Sequence, residues 1–244
     1  MRITIMATAM SSERSEGRVD IPALFRLMAW LSPAYPVGAF SYSSGIEWAV
    51  EAGDIKDAAT LRQWLAGMIG AGGGFCDAVI FVHAHRAVAA NDDAALRAAA
   101  ELAAALVTSK ERLLETTAQG RAFLEATRAS WPCPALAQLD TVWRGAVALP
   151  VAVAVTCAGH DIACEPALHA FLHAVAANWI SAGVRLVPLG QTDGQRVLAA
   201  LEGDIGACAV RALATPLNEI GSCAVRADIA GMRHETQYTR LFRS

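Results

Sequence analysis

The run AATLRQWLAGMIGAGGGFCDAVIFVHAHRAVAA, residues 58–90, decides the fold class. In its first half Leu61, Trp64, Leu65 and Met68 recur at the three- and four-residue spacing of one helical face. Asp57 stands where an N-cap side chain would accept the first free backbone N–H groups. The glycines of GAGGG at 70–74 break or bend the helix. From Phe75 a second helix resumes and runs to about Ala90, with Asp77 placed to cap it. Neither half shows the period-two alternation of a half-buried strand.

The rest of the chain agrees. Of 244 residues, 55% are hydrophobic and 18% charged, above and below the usual shares for a globular domain. Alanine, the strongest helix former, makes up much of the excess. Ser32-Pro33 closes a first helix over residues 21–31, whose Leu24, Leu27, Met28 and Leu31 are read as its apolar face. Ser44 and Glu47 fit an S-x-x-E capping box opening a short helix to about Ala52. Helices follow over 94–107 and 110–129, then the stop WPCP at 131–134. A helix near 135–158 is divided by Gly145 and Pro150. Pro166 opens one toward Arg185, QTDGQRVLAAL forms another, and Thr215-Pro216 marks a last helix start. The expectation is an all-α, single-domain bundle of roughly eight to ten helices over 20–232. Residues 1–19 are read as a flexible extension, and 233–244 as a tail that either folds back on its own domain or docks on a partner.

Several function classes drop out. A net charge of −3 without long basic runs does not suit nucleic acid. No apolar window of about 18 residues lacks both charges and helix breakers, so no membrane span is expected. The start lacks a convincing signal-peptide core, which points to the cytoplasm and to six reduced cysteines. The loop between Ser32 and Ile46 has neither the glycine spacing nor the lysine of a phosphate cradle. None of Ser41, Ser43 or Ser44 has glycines two residues to either side, as a nucleophile elbow needs. Metal ligation has two weak candidates. Cys157, His160 and Cys164 lie at i, i+3 and i+7, but Gly159 and Pro166 divide them; His169 and His173 lie at i, i+4. No carboxylate constellation names an enzyme. What remains is surface chemistry: Tyr35, Phe40 and Tyr42 in the loop, and Tyr238, Leu241 and Phe242 among arginines in the tail, residue types that anchor protein interfaces.

Three stretches, SPAYPVGAFSYSSGIE (32–47), RLVPLGQTDGQRVL (185–198) and HETQYTRLFRS (234–244), together resemble the UreF family of urease accessory proteins in motif, order and spacing. The resemblance runs from about Leu24 to Ser244. Tyr35 and Ser44 depart from it, standing where many members have leucine and glutamine. It implies a non-enzymatic, all-α homodimer with no tightly bound cofactor, acting as a nickel-insertion chaperone. Such a protein would bridge a UreD/UreH-type accessory protein and the UreG-type GTPase on apo-urease. Carried onto this chain, the motifs imply partner-binding roles for Pro36, Gly38, Phe40, Ser41 and Tyr42 in the loop, and for Gln191 and Gln195. In the tail they imply the same for His234, Glu235, Tyr238, Arg240, Leu241, Phe242 and Arg243. The alternative is a direct nickel or zinc carrier using the Cys/His positions above, His169 and His173 among them.

Overall fold

A computed structural model describes residues 20–244, so the extension expected over 1–19 lies outside the described residues. These residues form twelve α-helical segments and no strand: α1 (Ile21–Trp30), α2 (Ile46–Glu51), α3 (Ala58–Ala71), α4 (Gly73–Ala89), α5 (Asp93–Ala105), α6 (Lys110–Ser130), α7 (Pro134–Val142), α8 (Leu149–Gly159), α9 (Cys164–Leu186), α10 (Gln191–Ala200), α11 (Glu202–Ala214) and α12 (Val225–His234). The all-α bundle read from the sequence is what forms.

Helices α4 and α8 make the centre. Phe81, Val82 and Ala84 of α4, and Val151 through Val155 of α8, are almost wholly removed from water. A helix apolar on every side must be surrounded, and α4 is wrapped by α3, α5, α8, α9 and α11. Burying each such Val or Phe contributes about 1.5–3 kcal/mol against leaving it exposed. Two helical runs, 58–89 and Cys164–Leu186, are long and apolar enough to cross a membrane, yet 67% and 50% of their most apolar stretches are buried inside the bundle. Their hydropathy is accounted for by the core.

The helix break at Gly72 has a second function. It frees the Ala71 carbonyl, which accepts the backbone N–H of Cys223 at 2.8 Å and of Ala224 at 3.2 Å. The chain leading into α12 is thereby pinned to the core. Asp57 caps α3 as expected, accepting from the Thr60 N–H at 2.8 Å. Asp77, expected as a cap for α4, lies inside that helix and pairs with Arg112 of α6 at 2.5 Å.

Three further local expectations need correction. In α1, Leu27 and Trp30 face inward while Ile21, Leu24, Phe25 and Met28 face solvent. Trp30 sets the orientation by packing edge-on against Trp131, ring centroids 6.0 Å apart. The Ser44–Glu47 capping box does not form. Ser44 has φ +52° and Gly45 φ +81°, and two consecutive left-handed residues turn the Ser44 hydroxyl away from the helix. Ser43 Oγ accepts the Glu47 N–H instead, at 3.3 Å. Finally, Thr215-Pro216 opens only a 3-10 turn at Leu217–Glu219. Thr215 Oγ1 donates back to the Arg211 carbonyl at 2.8 Å, so it closes α11 rather than capping a new helix.

Candidate partner-docking site

The loop 32–45 and the C-terminal segment, about 200 residues apart in sequence, form one structure. The crossing of α2 and α12 brings them together. A Cβ on Gly45 would meet Gly231 N at 2.7 Å and Gly231 Cα at 2.9 Å, so the helices approach backbone to backbone. Beyond α12 the chain doubles back along the loop: Arg243 N–H donates to Ser41 O at 2.9 Å and Ser43 N–H to Ser244 O at 2.8 Å. The Ser43 hydroxyl also donates to Ser244 O.

Glu47 is the hub. One carboxylate oxygen accepts the Leu241 N–H at 2.6 Å; the other accepts the Phe242 N–H at 2.9 Å and lies 3.0 Å from His234 Nε2. The other ring nitrogen, Nδ1, lies 2.6 Å from Glu111 of α6, which also receives Arg240 at 2.5 Å. Glu115, one turn further along α6, accepts from Ser44 Oγ at 2.8 Å and Ser244 Oγ at 2.7 Å. Trp179 Nε1 donates to Ser44 Oγ at 2.9 Å. Glu235 accepts the Lys110 N–H at 2.7 Å, satisfying one of the free donors at the N-terminus of α6. Next to this network is a cavity of about 80 Å³ lined by Asp77, Glu111, Arg112, Glu115, Trp179 and Ser244. Desolvation raises the Asp77 carboxyl above its ordinary value, only partly offset by the Arg112 guanidinium.

The outer wall of the site is aromatic. The Arg185 guanidinium lies 3.6 Å from the Phe40 ring centroid and 4.3 Å from that of Phe242, a cation–π sandwich worth about 0.5–2 kcal/mol. Its Nη1 donates to Phe40 O at 2.9 Å, while the buried Nη2 has no hydrogen-bond partner among the described residues. Burial accordingly lowers the Arg185 pKa.

The predicted positions thus divide. Tyr42, His234 and Phe242 are buried within the chain itself; Pro36, Gly38, Phe40, Ser41, Tyr238, Arg240, Leu241 and Arg243 face out, with Tyr238 fully exposed, and Glu235 is half-buried. Gln191 and Gln195 are exposed on α10 and join none of these contacts. Sequence reasoning missed Glu111, Glu115, Arg185 and the true role of Glu47. Glu111 and Glu115 at i, i+4 were the available signal for one carboxylate-bearing face of α6.

The metal candidates do not assemble. Cys157 is buried in α8, and desolvation lifts its thiol far above the ordinary range. The chain reverses at Asp161, φ +58°, before Cys164 opens α9, and His160 Nε2 meets Trp131 O at 3.1 Å. His169 and His173 line an open groove of about 420 Å³ with Gln195 and Glu202. No three His, Cys, Asp or Glu side chains among the described residues converge on a metal position.

With this geometry in hand, comparison with known proteins is decisive. The UreF family profile matches residues 55–202. The chain is 59% identical over 240 residues to a urease accessory protein UreF of Rhodopseudomonas palustris strain TIE-1, covering 96% of this chain and 100% of that one. It is 62% identical over 226 residues to a namesake from Bradyrhizobium sp. strain BTAi1, covering 93% and 94%. The chain belongs to the UreF family. The family's matched region spans α3 to α10, while the loop and tail of the candidate site flank it on either side.

Proposed function

We propose that this chain acts in urease maturation as a non-enzymatic scaffold, bridging a UreD/UreH-type accessory protein and a UreG-type GTPase on apo-urease. In this role a cytoplasmic homodimer coordinates GTP hydrolysis with nickel insertion, and nickel passes through the complex as cargo. Family membership supports a part in urease maturation. The observation that favours a bridging scaffold is the outer face of α1. Ile21, Leu24, Phe25 and Met28, at i, i+3, i+4 and i+7, are 67%, 44%, 66% and 68% exposed. Four large apolar side chains aligned on one helical face mark a surface that another protein covers. We assign it, with the exposed Tyr238 and Leu241 of the tail, to the UreD/UreH-type partner.

The test is affinity recovery of the full chain from urease-producing cells. The wild type is expected to bring down a small GTPase, the UreD/UreH-type protein and urease subunits. Phe25→Asp with Met28→Asp, at positions that support no core packing, should keep the helical content and melting temperature yet lose the UreD/UreH-type protein. Equal recovery by the variant would remove α1 from the interface; recovery of none of these proteins by the wild type would overturn the scaffold reading.

A further inference from the structure

We propose that His169 and His173 of α9 form a two-imidazole clamp for one borderline divalent cation, of the zinc, nickel or copper class. The clamp belongs to the chain itself and stands whether or not the chain bridges partners. Its first support is how the six histidines are used. Four commit ring nitrogens to the fold: His83 to Thr215 O at 2.9 Å, His85 to Ile162 O at 2.8 Å, His160 to Trp131 O at 3.1 Å, and His234 to Glu47 and Glu111. His169 and His173 make no side-chain hydrogen bond or ion pair among the described residues. Half-buried His169 and exposed His173 instead line the open groove bounded by α10 and α11. Their lone pairs are therefore available, and imidazole nitrogen is the ligand that suits these metals.

The second support is geometry. Residues four apart share a helical face, with Cβ atoms about 5–6 Å apart. The same spacing lets two histidines hold zinc on the helix of an H-E-x-x-H site. Here the intervening residues are Ala170, Phe171 and Leu172, with no glutamate to act as a base, so the pair binds without hydrolysing. Leu168, Phe171 and Leu172 are almost wholly buried, which fixes this turn of α9 to the core and holds the two rings in place. Gln195 of α10 and Glu202 of α11 line the same groove. A Cβ on Gly206, one turn along α11 from Glu202, would stand 4.0 Å from His169 Cε1. The Glu202 carboxylate thus shares the groove wall, where it offsets the cation's charge and accepts from metal-bound water. No third His, Cys, Asp or Glu among the described residues converges on the pair. The other coordination positions fall to water, as in an open, exchangeable site rather than a closed structural one. Nitrogen ligands favour Cu²⁺ over Zn²⁺ and Ni²⁺, and leave hard Mg²⁺ unbound.

Calorimetric titration of the untagged full-length chain tests this, with Cys223→Ser as the parent so that the exposed thiol does not compete. Zn²⁺ and Ni²⁺ are each expected to bind at one equivalent, Cu²⁺ more tightly, and Mg²⁺ not at all. His169→Ala and His173→Ala should each weaken Zn²⁺ binding by about tenfold or more, and Glu202→Gln by a smaller factor. Without metal, all three variants should keep the parent's helical content and melting temperature, since neither ring makes a hydrogen bond that supports the fold. Added Zn²⁺ should raise the melting temperature of the parent and not of the two histidine variants. Absence of binding in the parent, saturation only at millimolar metal, or a site that survives in both histidine variants would overturn the clamp.

Discussion

Replacing Gly45 by alanine isolates the contact on which the joint between loop and tail depends. Gly45 and Gly53 have nearly the same backbone, φ +81° and +78°, but different surroundings. Nothing lies within 4 Å of a Cβ on Gly53, whereas one on Gly45 meets Gly231 N, Gly231 Cα and Ala230 C at 2.7, 2.9 and 3.1 Å. Gly53→Ala therefore carries only the left-handed penalty, about 1–2 kcal/mol. Gly45→Ala adds an overpacking term against main-chain atoms, which cannot rotate away, of about 1–3 kcal/mol. For a domain of this size 1 kcal/mol moves the melting temperature by about 2–4 °C. Gly53→Ala should then lower it by roughly 2–8 °C and Gly45→Ala by several degrees more. Calorimetry gives the first comparison and amide exchange at Leu241 and Phe242 the second. Because α12 is pushed off α2, His234 is drawn from Glu47 and the tail amides should lose protection only in Gly45→Ala. Equal melting temperatures for the two variants, with equal tail protection, would refute the claim that the glycine crossing holds the site together.

Other consequences are simpler to read. Burial pushes the Cys76 and Cys208 thiols up to about 12 and about 11, so at pH 8 they stay protonated and unreactive. Exposed Cys223 should be alkylated first, with Cys76, Cys157 and Cys208 labelled only on unfolding, as peptide mass mapping would show. His85, tied to Ile162 O at 2.8 Å, is pulled below its ordinary value chiefly by burial. Its neutral form favours the native state, a contribution present above about pH 6.5 and lost as pH falls below it. Urea midpoints of wild type and His85→Gln should differ most at pH 7.5 and converge toward pH 5.

The bundle was legible because its signals are local. Leu61 to Met68 show their period within one helix, and the breaks at 70–74 and 131–134 are made by residues that cannot continue a helix wherever they stand. The face of α1 was not legible, since apolar side chains surround that helix and Trp131 and His160, a hundred residues and more further on, decide which turn inward. The Ser44–Glu47 pattern misled for a related reason. It is a sound cap by local chemistry, but Glu47 is claimed by donors 187 to 195 positions away. Spacing could name the loop and the tail as distinctive segments. It could not show that the Glu47 and Glu115 carboxylates, with backbone bonds at Ser41 and Ser43, bind them together.

That joint changes what deletion of the tail would measure. An interface probe must remove contact surface and leave the domain intact, and removal of residues 235–244 does not. It strips Glu47 of two backbone donors, Glu111 of Arg240 and Glu115 of Ser244 Oγ, and leaves buried carboxylates underpartnered. Breaking such contacts costs about 3 kcal/mol or more, so the truncated chain should melt roughly 6–12 °C lower. Lost co-purification would then reflect docking and destabilisation together. Tyr238 and Leu241 offer the cleaner probe, since both side chains project into solvent and only the Leu241 backbone N–H reaches Glu47. Tyr238→Ala with Leu241→Asp should keep the melting temperature and the protection of the Phe242 amide, and should lose the proposed UreD/UreH-type partner. If the double variant retains that partner while the truncation loses it, the tail acts by stabilising the domain and the interface lies elsewhere.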